Sequence, residues 1–168
     1  MAIMASPPVP PSMASRGPGA PSAMIGPLRW LARWRWLDGA VVENVAGILL
    51  AAGDGSRLGQ PKATVELAGS TLAERGVTLL RAGGADPVIV VTGAVPVELP
   101  GVVSVHNPDW MSGMGSSLAA GLRALAGGAA AAVIALADQP LIGAAAVRRL
   151  IAAHASGATV AVAAYAGQ

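Results

Sequence analysis

The run Leu50-Ala51-Ala52-Gly53-Asp54-Gly55-Ser56-Arg57-Leu58-Gly59-Gln60-Pro61-Lys62 joins three glycines to two cations. Gly53, Gly55 and Gly59 let the backbone turn sharply and bring its N–H groups up to an anion. The Arg57 guanidinium can fork onto two phosphate oxygens, and the Lys62 ammonium adds a point charge. The chemistry these residue types support is phosphate binding. A second candidate lies far downstream. Asp138 is the sole acid after Asp109, directly follows the apolar run Ala131–Ala137, and precedes Pro140, which turns the chain away. A hard carboxylate in that position suits Mg²⁺, which takes one or two protein carboxylates and completes its shell with phosphates and water. A turn or cap aspartate is the alternative.

These residues need a scaffold, and the pattern supplies one. Val45–Ala52 is a short apolar run ending in glycines, read as a buried strand. Thr71–Ala82 reads as a helix, with Thr71 and Glu74 at capping-box spacing and Gly83-Gly84 as its stop. Pro87–Thr92 and Val102–His106 read as further strands, and Ser116–Leu125 as a helix with Leu118, Leu122 and Leu125 on one face. Ala131–Ala137 is another buried strand, Ala144–Ala155 a helix, and Thr159–Ala164 a last strand. Buried strands alternating with helices predict an α/β fold, a mostly parallel sheet covered on both faces. Ligands of such sheets sit beyond the carboxyl ends of the strands, where the glycine run and Asp138 fall.

Composition narrows the class. With 54% hydrophobic and 12% charged residues the chain has a core to bury and is no disordered polyelectrolyte. There is no cysteine, which excludes disulfides and thiolate metal sites and fits a reducing cytoplasm. The pI near 9.9 suggests nucleic acid until the charges are located. Residues 1–42 hold four arginines against one aspartate, whereas the rest holds seven cations against eight acids. The body therefore offers no basic surface, and no nucleic-acid partner is expected.

Residues 1–44 read as a disordered leader and residues 45–168 as the folded domain. Pro7, Pro8, Pro10, Pro11, Pro18, Pro21 and Pro27 interrupt any element. Arg29–Leu37, with Trp30, Trp34 and Trp36, admits an interfacial membrane contact as the alternative to a plain extension, or to a start site near Val41 or Val42. No segment is long and apolar enough to predict a membrane span, and no internal repeat is visible.

Three phosphate-binding schemes can be compared with the glycine run. The phosphate loop G-x-x-x-x-G-K-(S/T) fails at Gly59-Gln60-Pro61-Lys62. The dinucleotide fingerprint fails because the third glycine comes one residue late and the strand ending Thr92-Gly93 carries no acid for a ribose. The third fits: the run resembles the signature L-A-(A/G)-G-x-(G/S)-x-R-(M/L)-G-x-(P/D)-K of the MobA-like nucleotidyltransferases, the family of molybdenum-cofactor guanylyl- and cytidylyltransferases. Asn107-Pro108-Asp109-Trp110-Met111-Ser112-Gly113-Met114-Gly115-Ser116-Ser117-Leu118 is similar to the N-x-x-W-x-x-G-(M/L)-x-x-S-(L/I) segment of the cytidylyltransferase branch, and Asp138-Gln139-Pro140 to its D-Q-P. The resemblance covers about Val45 to Ala164.

The resemblance implies a three-layer, Rossmann-like fold of the nucleotide-diphospho-sugar transferase type. It implies transfer of a nucleoside monophosphate from a triphosphate to a phosphorylated acceptor such as molybdopterin, with release of pyrophosphate. Arg57 and Lys62 would be catalytic, neutralising the triphosphate and its leaving group. Leu50, Ala51, Ala52, Gly53, Gly55, Arg57, Lys62, Thr92, Asn107 and Asp109 would contact the nucleotide, and Asp138 would hold Mg²⁺. Asn107 also suits an Asx turn, Trp110 suits stacking or packing, and Ser116 and Ser117 suit capping or phosphate binding. His106 and His154 lack the spaced partners of a metal site. Ala52 and Pro61, where the guanylyl branch has glycine and often aspartate, lean to CTP over GTP. Members usually continue into a G-x-P-x-x-F-like segment on the acceptor side. This sequence reaches Tyr165-Ala166-Gly167-Gln168, which implies a C-terminally truncated member, so a nucleotide-binding module without turnover stands as the alternative, with a dinucleotide oxidoreductase domain third.

Overall fold

A computed structural model describes residues 1–5, 36–37, 40–41, 44–56, 58–125 and 128–164. The chain divides into two units, Met1–Ser6 with Glu43–Gln168, and Pro7–Val42. The first unit opens with β1 (Ala2–Ala5). The second contributes β2 (Trp36–Leu37) and β3 (Ala40–Val41), which pair antiparallel. The first then resumes with β4 (Val45–Ala51), the hairpin β5 (Glu66–Leu67) and β6 (Ser70–Thr71), α1 (Leu72–Ala82), β7 (Val88–Thr92) and β8 (Val103–His106). It closes with α2 (Met114–Leu125), β9 (Ala131–Leu136), α3 (Ala144–Ala155) and β10 (Val160–Val162).

Six strands form one sheet in the order β10-β1-β9-β4-β7-β8. The pairs β9–β4, β4–β7 and β7–β8 are parallel, as the alternation of strands and helices predicts. Parity along β4 separates two cores. Leu49 and Ala51 pack with Val77 and Leu80 of α1 and with Val147 and Leu150 of α3. Ile48 and Leu50 pack with Ala120 and Leu125 of α2. Successive strand side chains point to opposite faces, so a strand buried on both sides must be apolar at every position, and β4 is. Small residues let the helices approach: a Cβ on Gly76 would stand 2.6 Å from Leu49, and one on Gly121 would stand 2.7 Å from Ile48. Helices therefore cover both faces, in three layers.

The capping box predicted at Thr71 is present. The Thr71 side chain accepts from the Glu74 backbone N–H at 3.2 Å, and the Thr71 backbone N–H donates to Glu74 Oε2 at 2.7 Å. The Thr71 backbone N–H, and after it the Thr71 hydroxyl, which also donates to Oε2 at 3.0 Å, hold the Glu74 carboxyl below its ordinary pKa.

One expectation needs correction. Residues 1–44 were expected to be a leader outside the fold, yet Ala2–Ala5 is a strand inside the sheet. It runs antiparallel to both neighbours, with Ile3 opposite Val133 of β9 and Ala161 of β10. Ile3 is fully buried. Its four residues are too few for a period to show, and its hydrogen-bonding partners lie at the far end of the chain. The tryptophan-rich segment falls outside the described residues, apart from the backbone of β2. Among the described residues, no helix is long and apolar enough to cross a membrane.

Candidate active site

The glycine run leaves the carboxyl end of β4, the strand flanked by β9 and β7. Its first turn is fixed at Gly55, whose φ of +66° belongs to the left-handed region. A Cβ there would lie 1.9 Å from the Gln60 carbonyl oxygen, so only glycine closes this turn. Leu58 and Gly59 N–H both donate to the Gly55 carbonyl, and Ser56 N–H donates to Asp54 Oδ1 at 3.1 Å. Gly53 differs: its φ is not positive, and a Cβ would meet nothing within 4 Å.

Beyond the turn, Pro61 leads into a short 3₁₀ turn, Lys62–Thr64. Ala63 is buried in the core, and Thr64 Oγ1 donates back to the Pro61 carbonyl, so the root of Lys62 is anchored. Across the sheet, the Ala137 N–H donates to the Leu50 carbonyl at 3.1 Å and extends the β9–β4 ladder by one residue. Asp138 follows at once. The Lys62 ammonium donates to Asp138 Oδ2 at 2.8 Å, both side chains being roughly half exposed.

Between these elements lies a cleft of about 460 Å³, a volume suited to a small-molecule ligand. Its lining joins Leu50 to Ser56 with Lys62, Ala63, Trp110, Met114, Ser117 and Leu136 to Asp138. Leu50, Ala51, Ala52, Gly53, Gly55, Lys62 and Asp138, expected from sequence to form the site, thus share one cleft. Arg57 lies outside the described residues. Trp110 is seated on Gly93, where a Cβ would come within 2.6 Å of the indole, and forms a wall of the cleft. Met114 and Leu136 went unrecognised in the sequence because an apolar side chain at a strand or helix end carries no chemical signature.

Thr92, Asn107 and Asp109 stand outside the lining. Thr92 is buried, with Oγ1 3.5 Å from the Val105 carbonyl. Asn107 is also buried. Its Oδ1 accepts from Asp109 N–H at 3.1 Å, an Asx turn, and its Nδ2 donates to Ser116 Oγ and Ser117 Oγ at 2.9 and 3.0 Å. Asn107 thereby ties the end of β8 to the first turn of α2, and the tie reaches the cleft through Ser117. Helix α2 begins at Met114, two residues ahead of the start expected from Ser116.

The fold is a three-layer α/β domain with a cleft at the carboxyl ends of adjacent parallel strands. A profile of the MobA-like NTP transferase domain matches residues 47–168, and the chain belongs to that family. It is 41% identical over 125 residues to nicotine blue oxidoreductase of Paenarthrobacter nicotinovorans, covering 67% of this chain and 58% of that protein. It is 37% identical over 108 residues to a probable molybdenum cofactor guanylyltransferase of Opitutus terrae, covering 63% of this chain and 54% of that protein. The chain thus spans little more than half the length of these relatives. Among solved structures it resembles Rv0371c of Mycobacterium tuberculosis, with TM-score 0.58, 29% identity, and 68% of this chain and 62% of that one covered. The same protein is known as a manganese complex, matched at TM-score 0.53 and 26% identity over 67% of this chain and 60% of that one.

Proposed function

We propose that this chain is a nucleotidyltransferase that binds a nucleoside triphosphate with a divalent cation in the cleft between β4 and β9. The observation that carries this reading is the convergence of the glycine turn, Lys62 and Asp138 on one cleft at the carboxyl ends of adjacent parallel strands. An acceptor phosphate oxygen forms a bond to the α-phosphorus while the bond to the β-phosphate oxygen breaks, and pyrophosphate leaves. Such a reaction asks the protein for positioning and charge neutralisation. The backbone from Ala51 to Gly55 lies where it can receive base and phosphates, and the open space at Gly53 allows close approach. Lys62, with Arg57 from the same loop, neutralises phosphate oxygens and the departing pyrophosphate.

Asp138 fits a divalent cation. Its carboxylate faces the cleft and already holds a cation, the Lys62 ammonium, on Oδ2. Among the described residues no group of three His, Asp or Glu is placed to hold a metal. Phosphates and water would thus supply most ligands, the habit of Mg²⁺. When bound, such an ion lowers the charge on the reacting phosphates.

We favour CTP, because Ala52 and Pro61 stand where the guanylyl branch usually has glycine and often aspartate, and molybdopterin as acceptor, in a cytoplasmic enzyme. A second reading, oxidoreductase, draws on the name of the 41% identical relative, although Thr92 leaves β7 without an acid for a ribose. Calorimetry with CTP, GTP, NAD and NADP, each with Mg²⁺, separates the two. Triphosphate binding that Lys62→Ala weakens by about 1–3 kcal/mol supports the transferase. Tight NAD or NADP binding that ignores Lys62→Ala ends it. Triphosphate binding without pyrophosphate release, with molybdopterin supplied, favours a module without turnover.

A further inference from the structure

Lys62 and Asp138 are proposed to serve different parts of the ligand, yet the ammonium sits 2.8 Å from Oδ2 of the carboxylate proposed to hold the metal. A divalent cation on that carboxylate and an ammonium at this distance would repel each other and compete for its negative charge. We infer that Lys62 is a resident counter-cation on Asp138, which a divalent cation must displace and which a triphosphate draws away. Metal and triphosphate then bind as a coupled pair, and metal alone binds weakly. The inference rests on the assignment of Asp138 to metal and Lys62 to phosphate.

Three features carry it. The side chains are 47% and 39% exposed, so the pair is weak enough to break at little cost. The Lys62 root is fixed beside buried Ala63, while its four-carbon stem leaves the ammonium free to swing. The charges decide the rest. A divalent cation alone would face the lysine's positive charge with one carboxylate between them, and the other cleft acid, Asp54, already accepts from Ser56 N–H. A triphosphate supplies the missing negative charge and gives the ammonium a new partner. Linkage makes the effect reciprocal: each ligand raises the affinity of the other.

The effect can be read without turnover, by titrating Mn²⁺ into the full chain without nucleotide and following free Mn²⁺ by electron paramagnetic resonance. Lys62→Met keeps the length and removes the charge, so it should bind Mn²⁺ roughly fivefold or more tightly than the parent, while its affinity for CTP falls. Lys62→Arg should stay near the parent for Mn²⁺. Opposite signs for metal and triphosphate are not expected of a structural lysine. Mn²⁺ binding by Lys62→Met that is no tighter than the parent's, with native circular dichroism, overturns the exchange. Should Lys62→Met fail to fold, Lys62→Gln serves the same comparison. Asp138→Asn should lose Mn²⁺ in either background. Mn²⁺ binding that survives Asp138→Asn defeats the metal assignment itself, a failure distinguishable from that of the exchange.

Discussion

Lys62 Nζ and Asp138 Oδ2, 76 positions apart in the sequence, meet at 2.8 Å and join the loop after β4 to the loop after β9. Both side chains are solvent-accessible, so the pair contributes at most about 1 kcal/mol to folding. Asp138→Asn should therefore leave the urea midpoint nearly unchanged while removing the Mg²⁺ dependence of triphosphate binding. A large drop in stability would make Asp138 a structural turn residue instead.

The two glycines of the first turn should separate in their response to alanine. Gly55→Ala forces a Cβ into the Gln60 carbonyl and a left-handed φ on a residue with a side chain, so the turn must rearrange and triphosphate affinity should collapse. Gly53→Ala meets open space, and the melting temperature should stay within error. Any loss of triphosphate affinity in Gly53→Ala then reports a ligand passing close to the backbone. Unchanged affinity would move the ligand away from it.

Ile3 is fully buried between β9 and β10. Ile3→Ala should cost about 2–5 kcal/mol in chemical denaturation, the range for a large aliphatic cut back in a packed core. Deleting residues 1–6 should lower stability by at least as much. A deletion without effect would mean that the sheet closes without its first strand.

The Glu74 cap titrates. Its folded pKa lies below the ordinary carboxylate value, so its contribution is present above the unfolded pKa and lost as pH falls through the folded one. Glu74→Ala should be less stable than the parent at neutral pH, and the two should converge in acid. Melting curves across that interval test it; a gap that stays constant with pH would assign the effect to helix propensity.

The elements that carry the site were legible because each announces itself locally. Seven consecutive apolar residues ending in glycines mark β4, and Thr71 with Glu74 marks the start of α1. The meeting of Lys62 with Asp138 was half legible: each followed a buried strand, and parallel strands put such residues on one edge, but only coordinates say that they touch. Asn107 illustrates the limit. Its type and place suit a ligand contact or an Asx turn equally; Asp109 N–H closes the turn, and the bonds from Asn107 on to Ser116 and Ser117 are what no local pattern reveals. β1 was missed for a related reason, because strand pairing is a property of the partners and Ala2–Ala5 has them in β9 and β10.

The place of β1 also bears on how the chain is made. Residues 2–5 are synthesised long before Val133 and Ala161, the neighbours of Ile3. During that interval β1 has neither of its neighbours, and unpaired apolar strands are where nascent chains go astray. Long-range pairing of this kind also slows folding, because the loop must close before the contact can stabilise it. An affinity tag fused directly ahead of Met1 would adjoin a strand held on both sides.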